Sequence, residues 1–323
     1  ERGAILEELQ KSEIQDNRLG QVIGPYRLAR RLGSGGMATV YAAFPNDVFG
    51  DPDKQNQNMV ALKLVLQEVA KEEDFRRRFM REVEISRRLD HPNIVHTIDW
   101  GEHLGELYLA MELVDGDTLR ALVGGKMVPP MEAMSYLVPL FEAVDYAHRQ
   151  GVVHRDLKPD NVMVSRLRTL KVMDFGLAKR HDVSRLTRIT KTGTALGTPG
   201  YMAPEQIMGK ENLGPQVDQY ALGVMAYEFL TGGLPYHAED PIALMFKQCS
   251  DPPPSLRQFE PRLAKALDRA VLKMLSIEPV DRYPDVLSGL QAMQEALGMQ
   301  LSGVHKIHDW QTLGMRRSGG EHD

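Results

Sequence analysis

The chain has 323 residues, 42% of them hydrophobic and 26% charged, a balance that excludes disorder throughout and fits a globular protein with a sizeable core. A net charge of −5 supplies no global basic field for nucleic acid, and the local clusters Arg76-Arg77-Arg78 and Arg87-Arg88 read as solvated helix faces. The single cysteine, Cys249, excludes an intrachain disulfide and a cysteine-built metal site, and no apolar run reaches the roughly 18 residues that span a bilayer.

Residues 3 to 16 carry Ile5, Leu6, Leu9 and Ile14 at helical spacing, which predicts a short amphipathic helix before Gly20 and the Gly24-Pro25 turn. Packing on the body of the protein is one reading of that helix and dimerisation the other. Tyr26 to Phe44 alternates as a hairpin whose turn runs Leu32-Gly33-Ser34-Gly35-Gly36-Met37-Ala38-Thr39-Val40. Glycines there let backbone amides approach a phosphate that any Cβ would push away, although a glycine-rich hairpin alone is a weak signal. Asn46 to Asn58 is polar, with Gly50 and Pro52, and reads as an inserted loop, since lengthening a connection costs little. Met59 to Leu66 is an apolar strand carrying Lys63, a charge that needs a partner if buried. The stripe Phe75, Phe79, Val83 predicts a helix over Glu72 to Leu89, on which Glu82 can supply that partner. Glu106 to Val114 is a further strand, and Pro130 to Gln150 a long buried helix.

Two clusters follow: His154-Arg155-Asp156-Leu157-Lys158-Pro159-Asp160-Asn161, then Asp174-Phe175-Gly176. Phosphoryl transfer leaves a protein little covalent work, so it asks for a base aimed at a hydroxyl, metal ligands for the phosphates, and cations to hold developing charge. Asp156 can accept the hydroxyl proton, Lys158 can neutralise the transferred phosphoryl, and Asn161 with Asp174 offers hard oxygens to magnesium. One such residue is an ordinary polar turn; eight in order followed by Asp-Phe-Gly are not. From Asp174 a long loop runs to Gly197-Thr198-Pro199-Gly200-Tyr201-Met202-Ala203-Pro204-Glu205, a length that marks functional or disordered segments. Leu301 to Asp323 shows no period and reads as a mobile tail or the start of a linker, and there is no internal repeat.

On these motifs the chain resembles the eukaryotic-type Ser/Thr protein kinases, including their bacterial branch, from about Tyr26 to about Gly298. The resemblance implies an α+β, two-lobed fold: a small antiparallel lobe with one key helix, and a larger helical lobe. It divides the chain into an extension at 1–25, a kinase domain at 26–298 (lobes 26–113 and 114–298) and a tail at 299–323. The family pattern G-x-G-x-x-G-x-V is met at Gly33, Gly35 and Val40, with Ala38 in place of the third glycine. Alignment puts Glu82, not Glu84, opposite Lys63, whose role is then to orient the α- and β-phosphates of ATP. Met111 falls at the back of the adenine pocket, Glu112, Leu113 and Val114 form the hinge, and Val40, Ala61 and Met163 sandwich the ring. Thr198 bridges Asp156 and Lys158, Glu205 pairs with Arg282, and Asp218 steadies the catalytic loop. Ser86 and Thr97 fall in the family's stack of residues linking the key helix to Phe175 and His154.

The implied activity is transfer of the γ-phosphoryl of Mg-ATP, with Mn²⁺ as an alternative metal, to Ser or Thr of a protein; Lys158-Pro159-Asp160 separates the chain from Tyr kinases. Thr190, Thr192 and Thr194, with Thr192 first, are the expected phosphosites, answered by a basic pocket of Arg155, Lys179 and Arg78 and filled by the kinase acting on itself in trans. The partners expected are protein substrates and a second copy, with a homodimer as an open alternative, and neither nucleic acid nor a membrane span. The location expected is cytoplasmic, either alone or as the cytoplasmic domain of a longer membrane-anchored protein, since the chain begins at Glu1 rather than Met. A pseudokinase scaffold is disfavoured by the full set Lys63, Glu82, Asp156, Asn161 and Asp174. A small-molecule kinase generally lacks the Thr198–Glu205 segment and the Arg282 partner, having no peptide to dock.

Overall fold

The computed structural model describes residues 16–35, 38–70, 73–175 and 199–299. The predicted helix at 3–16 apart from its last residue, Gly36, Met37, Lys179, Thr190, Thr192, Thr194, Thr198 and the tail past 299 lie outside the described residues, as do the side chains of Arg78 and Glu82.

The small lobe is an antiparallel sheet of β1 (Val22–Ile23), β2 (Tyr26–Ser34), β3 (Ala38–Pro45), β4 (Val60–Val65), β5 (Thr97–His103) and β6 (Glu106–Glu112), in the order β1-β2-β3-β4-β6-β5. Strand alternation sends Leu28, Tyr41, Leu62, Leu64 and Tyr108 to one face. Val65, Leu107, Leu109 and Met111 go to the other, where Phe79 and Val83 of a helix cover them. Tyr108 occupies a slot between two glycines: a Cβ at Gly24 would lie 2.7 Å from its ring, and one at Gly101 2.6 Å from its hydroxyl.

Among the described residues, three helices attend the sheet: α1 (Pro52–Gln57), α2 (Gln67–Ala70) and α3 (Glu73–Ser86). The 46–58 insertion is thus not a plain loop; a 3-10 turn at Asn46–Val48 leads to α1, where Asp51 caps the first turn by accepting from the Lys54 amide at 3.2 Å. A capping Asp followed by Pro at the first helical position starts helices, and the same pair opens turns as readily. In α3 the stripe Phe75, Phe79, Val83 faces the sheet, with the two phenylalanine rings stacked 6.2 Å apart.

The large lobe begins at the small sheet β7 (Gly116–Thr118), β8 (Val162–Ser165) and β9 (Leu170–Val172). β7 can lie against β8 only because residue 116 is glycine: a Cβ there would sit 2.0 Å from the Val164 carbonyl oxygen. Its helices among the described residues are α4 (Leu119–Val123), α5 (Pro130–Arg149), α6 (Pro204–Ile207), α7 (Gln216–Thr231), α8 (Pro241–Ser250), α9 (Lys265–Met274) and α10 (Val286–Ala296). Every residue of α7 from Val217 to Leu230 is buried, so it is the lobe's central helix, with α5, α9 and α10 packed around it. The architecture is the expected one, α+β and two-lobed.

Candidate active site

The loop from His154 to Asn161 is fastened from below. Asp218, fully buried on α7, accepts from the backbone amides of His154 and Arg155 at 2.7 Å each, and from His148 Nε2 at 2.8 Å. His154 is itself fully buried: its Nε2 donates to the Met173 carbonyl at 2.8 Å, its Nδ1 accepts the Asp156 amide at 3.2 Å, and its ring meets Phe175 edge-on at 4.8 Å. These contacts leave Arg155 at φ +67°, a left-handed conformation that non-glycine residues seldom adopt and that a site must over-determine to hold. Above this base the Asp156 carboxylate receives Lys158 Nζ and Asn161 Nδ2, each at 3.2 Å on Oδ2, while Asn161 Nδ2 also reaches the Asp156 carbonyl at 2.7 Å. The amide nitrogen of Asn161 is therefore spent on Asp156, and its oxygen is the atom left for a cation.

Across the cleft, Lys63 of β4 donates to Asp174 Oδ1 at 2.7 Å. Both side chains keep contact with solvent, 21% and 30% exposed. Asp174 sits at φ +60°, and its carboxyl is held below the ordinary carboxylate range: burial opposes this, and the charge and hydrogen bond of Lys63 outweigh it. The pairing of Lys63 with Glu82 expected from alignment concerns a side chain outside the described residues; among those described, the partner of Lys63 is Asp174.

Strand register gathers the residues expected to line the nucleotide. Val40 pairs with Gly33 on one side and with Lys63 on the other, and Ala61 pairs with Met111. Ala61, Met111, Val114 and Met173 share one apolar cluster, and Met163 on β8 is half-buried. Of the turn itself, Leu32, Ser34 and Gly35 are exposed, and Ser34 and Thr39 face each other with hydroxyls 3.2 Å apart. The hinge carries a tie that sequence reading missed: Lys171 of β9 donates to Glu112 Oε2 at 2.7 Å, which also accepts the His96 amide at 3.3 Å. No spacing rule relates residues 112 and 171; the segment 93–96 brings them together, bonded by its backbone to Val172 of β9 on one side and to Glu112 of β6 on the other.

The end of the activation segment is the most heavily anchored backbone of the site. Glu205 and Arg282 form a bidentate pair at 2.7 and 2.8 Å, and the same guanidinium donates to the carbonyls of Ser276, Ile277 and Gln216. Two glutamines add to it that the sequence did not single out. Gln206 donates to the Arg155 carbonyl at 2.9 Å while accepting from Ala203, and Gln248 of α8 sets its amide nitrogen 3.0 to 3.3 Å from the carbonyls of Pro199, Gly200 and Met202. Cys249 beside it is half-buried, and burial raises its thiol pKa, which suits an inert side chain.

Ser86, the last residue of α3, and Thr97, the first of β5, are both buried and meet hydroxyl to hydroxyl at 3.0 Å. Each supplies the other's partner.

These features converge on one class, the two-lobed fold of the phosphotransferases, with a cleft between its lobes lined by charged side chains. The model of the protein kinase domain matches residues 26–294, and the chain belongs to that family, among the serine/threonine kinases. The chain is 36% identical over 288 residues to the serine/threonine-protein kinase PknH of Mycobacterium tuberculosis, covering 88% of this chain and 44% of that one. PrkC of Bacillus subtilis is 34% identical, with 81% and 39% covered. The crystal structure of the PknI kinase domain of Mycobacterium tuberculosis superposes with a TM-score of 0.67 at 30% identity, covering 87% of this chain and 99% of that one. The chain thus spans less than half the length of the curated relatives it matches. Members of the family generally use ATP and Mg²⁺, and no helix among the described residues is long and apolar enough to cross a membrane.

Proposed function

We propose that this chain transfers the γ-phosphoryl of Mg-ATP to Ser or Thr hydroxyls of proteins, with Asp156 taking the hydroxyl proton. The observation that carries the reading is the Asp156 carboxylate, bound on one oxygen by Lys158 and Asn161 over a loop fastened to Asp218. Lys158 neutralises charge on the moving phosphoryl, and Lys63 orients the phosphates from the opposite wall, with Glu82 as its further support. Leu32 to Val40 cover the phosphates with backbone amides, and Ala61, Met111, Glu112, Val114 and Met163 enclose and read the adenine. Thr198 joins Asp156 and Lys158.

The donor set fits magnesium. The free oxygen of Asn161 and the carboxylate of Asp174 are hard ligands, and two protein oxygens completed by phosphates and water are what this ion ordinarily takes. When bound, the ion neutralises phosphate charge; placing the hydroxyl and removing its proton falls to the chain's own residues.

Activation by phosphoryl transfer in trans onto Thr190, Thr192 or Thr194 belongs to the same reading. Its support is Arg155, whose Nε is buried without a hydrogen-bond partner among the described residues, a donor suited to a phosphate brought in by the segment; Lys179 and Arg78 are the further pocket members that the family resemblance implies. A cytoplasmic setting, where Mg-ATP is at hand, is part of the proposal, as is transient pairing of two copies.

The test is Asp156→Asn, which removes proton acceptance at almost constant volume. Transfer to protein should fall at least about a hundredfold with ATP affinity retained, since one such element is ordinarily worth several kcal/mol. Phosphosite mapping of both forms then reads the activation step: occupied threonines in the Asn form alone would refute transfer by the chain itself.

A further inference from the structure

A second polar knot lies beside the catalytic loop. Arg120 on α4 donates through Nη1 to Glu228 Oε1 at 2.5 Å and through Nη2 to the Tyr201 hydroxyl, and its Nε faces Asp160 Oδ2 at 3.4 Å. The Tyr201 hydroxyl in turn donates to Glu228 Oε2 at 2.5 Å, and the guanidinium lies 5.5 Å from the tyrosine ring centre. Tyr201 and Glu228 are each 4% exposed, whereas Arg120 is one-third open to solvent. The three partners belong to three segments: Tyr201 to the end of the activation segment, Glu228 to the central helix α7, and Asp160 to the catalytic loop, four positions after the base. Tyr201 and Met202 also line the same cleft as Arg155, Asp156 and Lys158.

We propose that Arg120 is a positioning residue for the protein acceptor: its guanidinium fixes the docking segment at Tyr201 relative to the catalytic loop at Asp160, and so sets the acceptor's approach to Asp156. The inference rests on the reading of Asp156 as base and of residues 199–205 as the docking segment. Charge neutralisation alone does not account for the arrangement. Glu228 could be neutralised by any cation, but only a planar fork of donors meets a carboxylate, a phenol and a second carboxylate at once. Burial, and then Glu228, hold Tyr201 protonated, so that its hydroxyl donates to the carboxylate and accepts from the arginine. Gln248 grips the same segment by its backbone, and Arg120 grips it by a side chain, which fixes rotation as well as place.

The experiment compares the 323-residue chain with Arg120→Met, Arg120→Lys and the double variant Arg120→Met/Glu228→Gln. The acceptor is a synthetic Ser/Thr peptide drawn from a degenerate mixture as one the wild type phosphorylates. In Arg120→Met the KM for peptide should rise about tenfold, the equivalent of one charge-assisted hydrogen bond, while the KM for ATP stays within about twofold. Lysine, a point charge, should recover little of the difference. The double variant removes the buried carboxylate left unpaired, so its melting temperature should return toward wild type while peptide KM stays high. Recovery of peptide KM together with stability would reduce Arg120 to a counter-ion and overturn the proposal, as would equal rises in both KM values. Asp156→Asn, assayed alongside, reports on the base independently, because the ratio of peptide KM values is measurable whichever residue takes the proton.

Discussion

The two ion pairs at opposite ends of this site are built on different terms. Glu205–Arg282 is 5% and 0% exposed, bidentate, and its guanidinium is further occupied by three backbone carbonyls. Lys63–Asp174 is a single contact with both partners partly in solvent. The first has no capacity to exchange partners. Under the proposed function the second has to exchange them, with phosphates drawing on Lys63 and a metal on Asp174. On that reading the Glu205–Arg282 end of the site is permanent architecture, and the Lys63–Asp174 end is a pair of charges held together until ligand arrives.

The largest effect separating them should come from Arg282→Met, which strands a buried carboxylate and should cost about 3 to 5 kcal/mol in urea unfolding. If that loss falls below about 1 kcal/mol, the pair is not the anchor described. Lys63→Met should reverse the balance, changing stability by about 1 kcal/mol or less while lowering phosphoryl transfer at least a hundredfold, on the order of 3 kcal/mol. A variant that unfolds as readily as Arg282→Met would erase the contrast.

A smaller effect lies under α3. Ser86→Ala leaves the Thr97 hydroxyl buried without its partner and should cost about 1 to 2 kcal/mol, whereas Ser86→Ala/Thr97→Val, which removes both hydroxyls, should be close to neutral. With the polar contact replaced by a larger apolar one, Ser86→Leu should raise basal activity by settling α3; equal or lower activity would show that α3 is already settled. The smallest effect is in pH. Asp174 titrates below its ordinary value of 3.8, so its pairing contributes fully above that value and is lost as pH falls through the depressed one. The stability difference between wild type and Asp174→Asn should be flat from neutrality down to about pH 4 and change only below; a slope between about pH 5 and 7 would place the titrating group elsewhere.

How much of this was legible in the sequence divides along the same line. Motifs written in consecutive residues, His154 to Asn161 and Asp174-Phe175, declared their chemistry, because local spacing fixes which atoms can meet one substrate. The strands and α3 were legible by period, with ends differing by one to a few residues; the predicted 72–89 helix closes at Ser86. What stayed hidden are contacts made by side chains of no special type across long separations: Gln248 to Pro199, Lys171 to Glu112, Arg120 to Glu228. Nothing in a glutamine announces three carbonyls. The α1 helix was hidden for another reason, since Asp51-Pro52 signals a turn and a helix cap equally well.

Tyr108 in its glycine slot makes a statement about variation among related sequences. Residue 101 is on a strand, without the left-handed backbone that would demand glycine, and the tyrosine side chain is what a Cβ there would meet first. Positions 101 and 108 should therefore drift as a couple: wherever tyrosine gives way to a shorter residue, position 101 becomes free to acquire the β-branched residues that strands favour, whereas position 24, at φ +55°, keeps its glycine regardless.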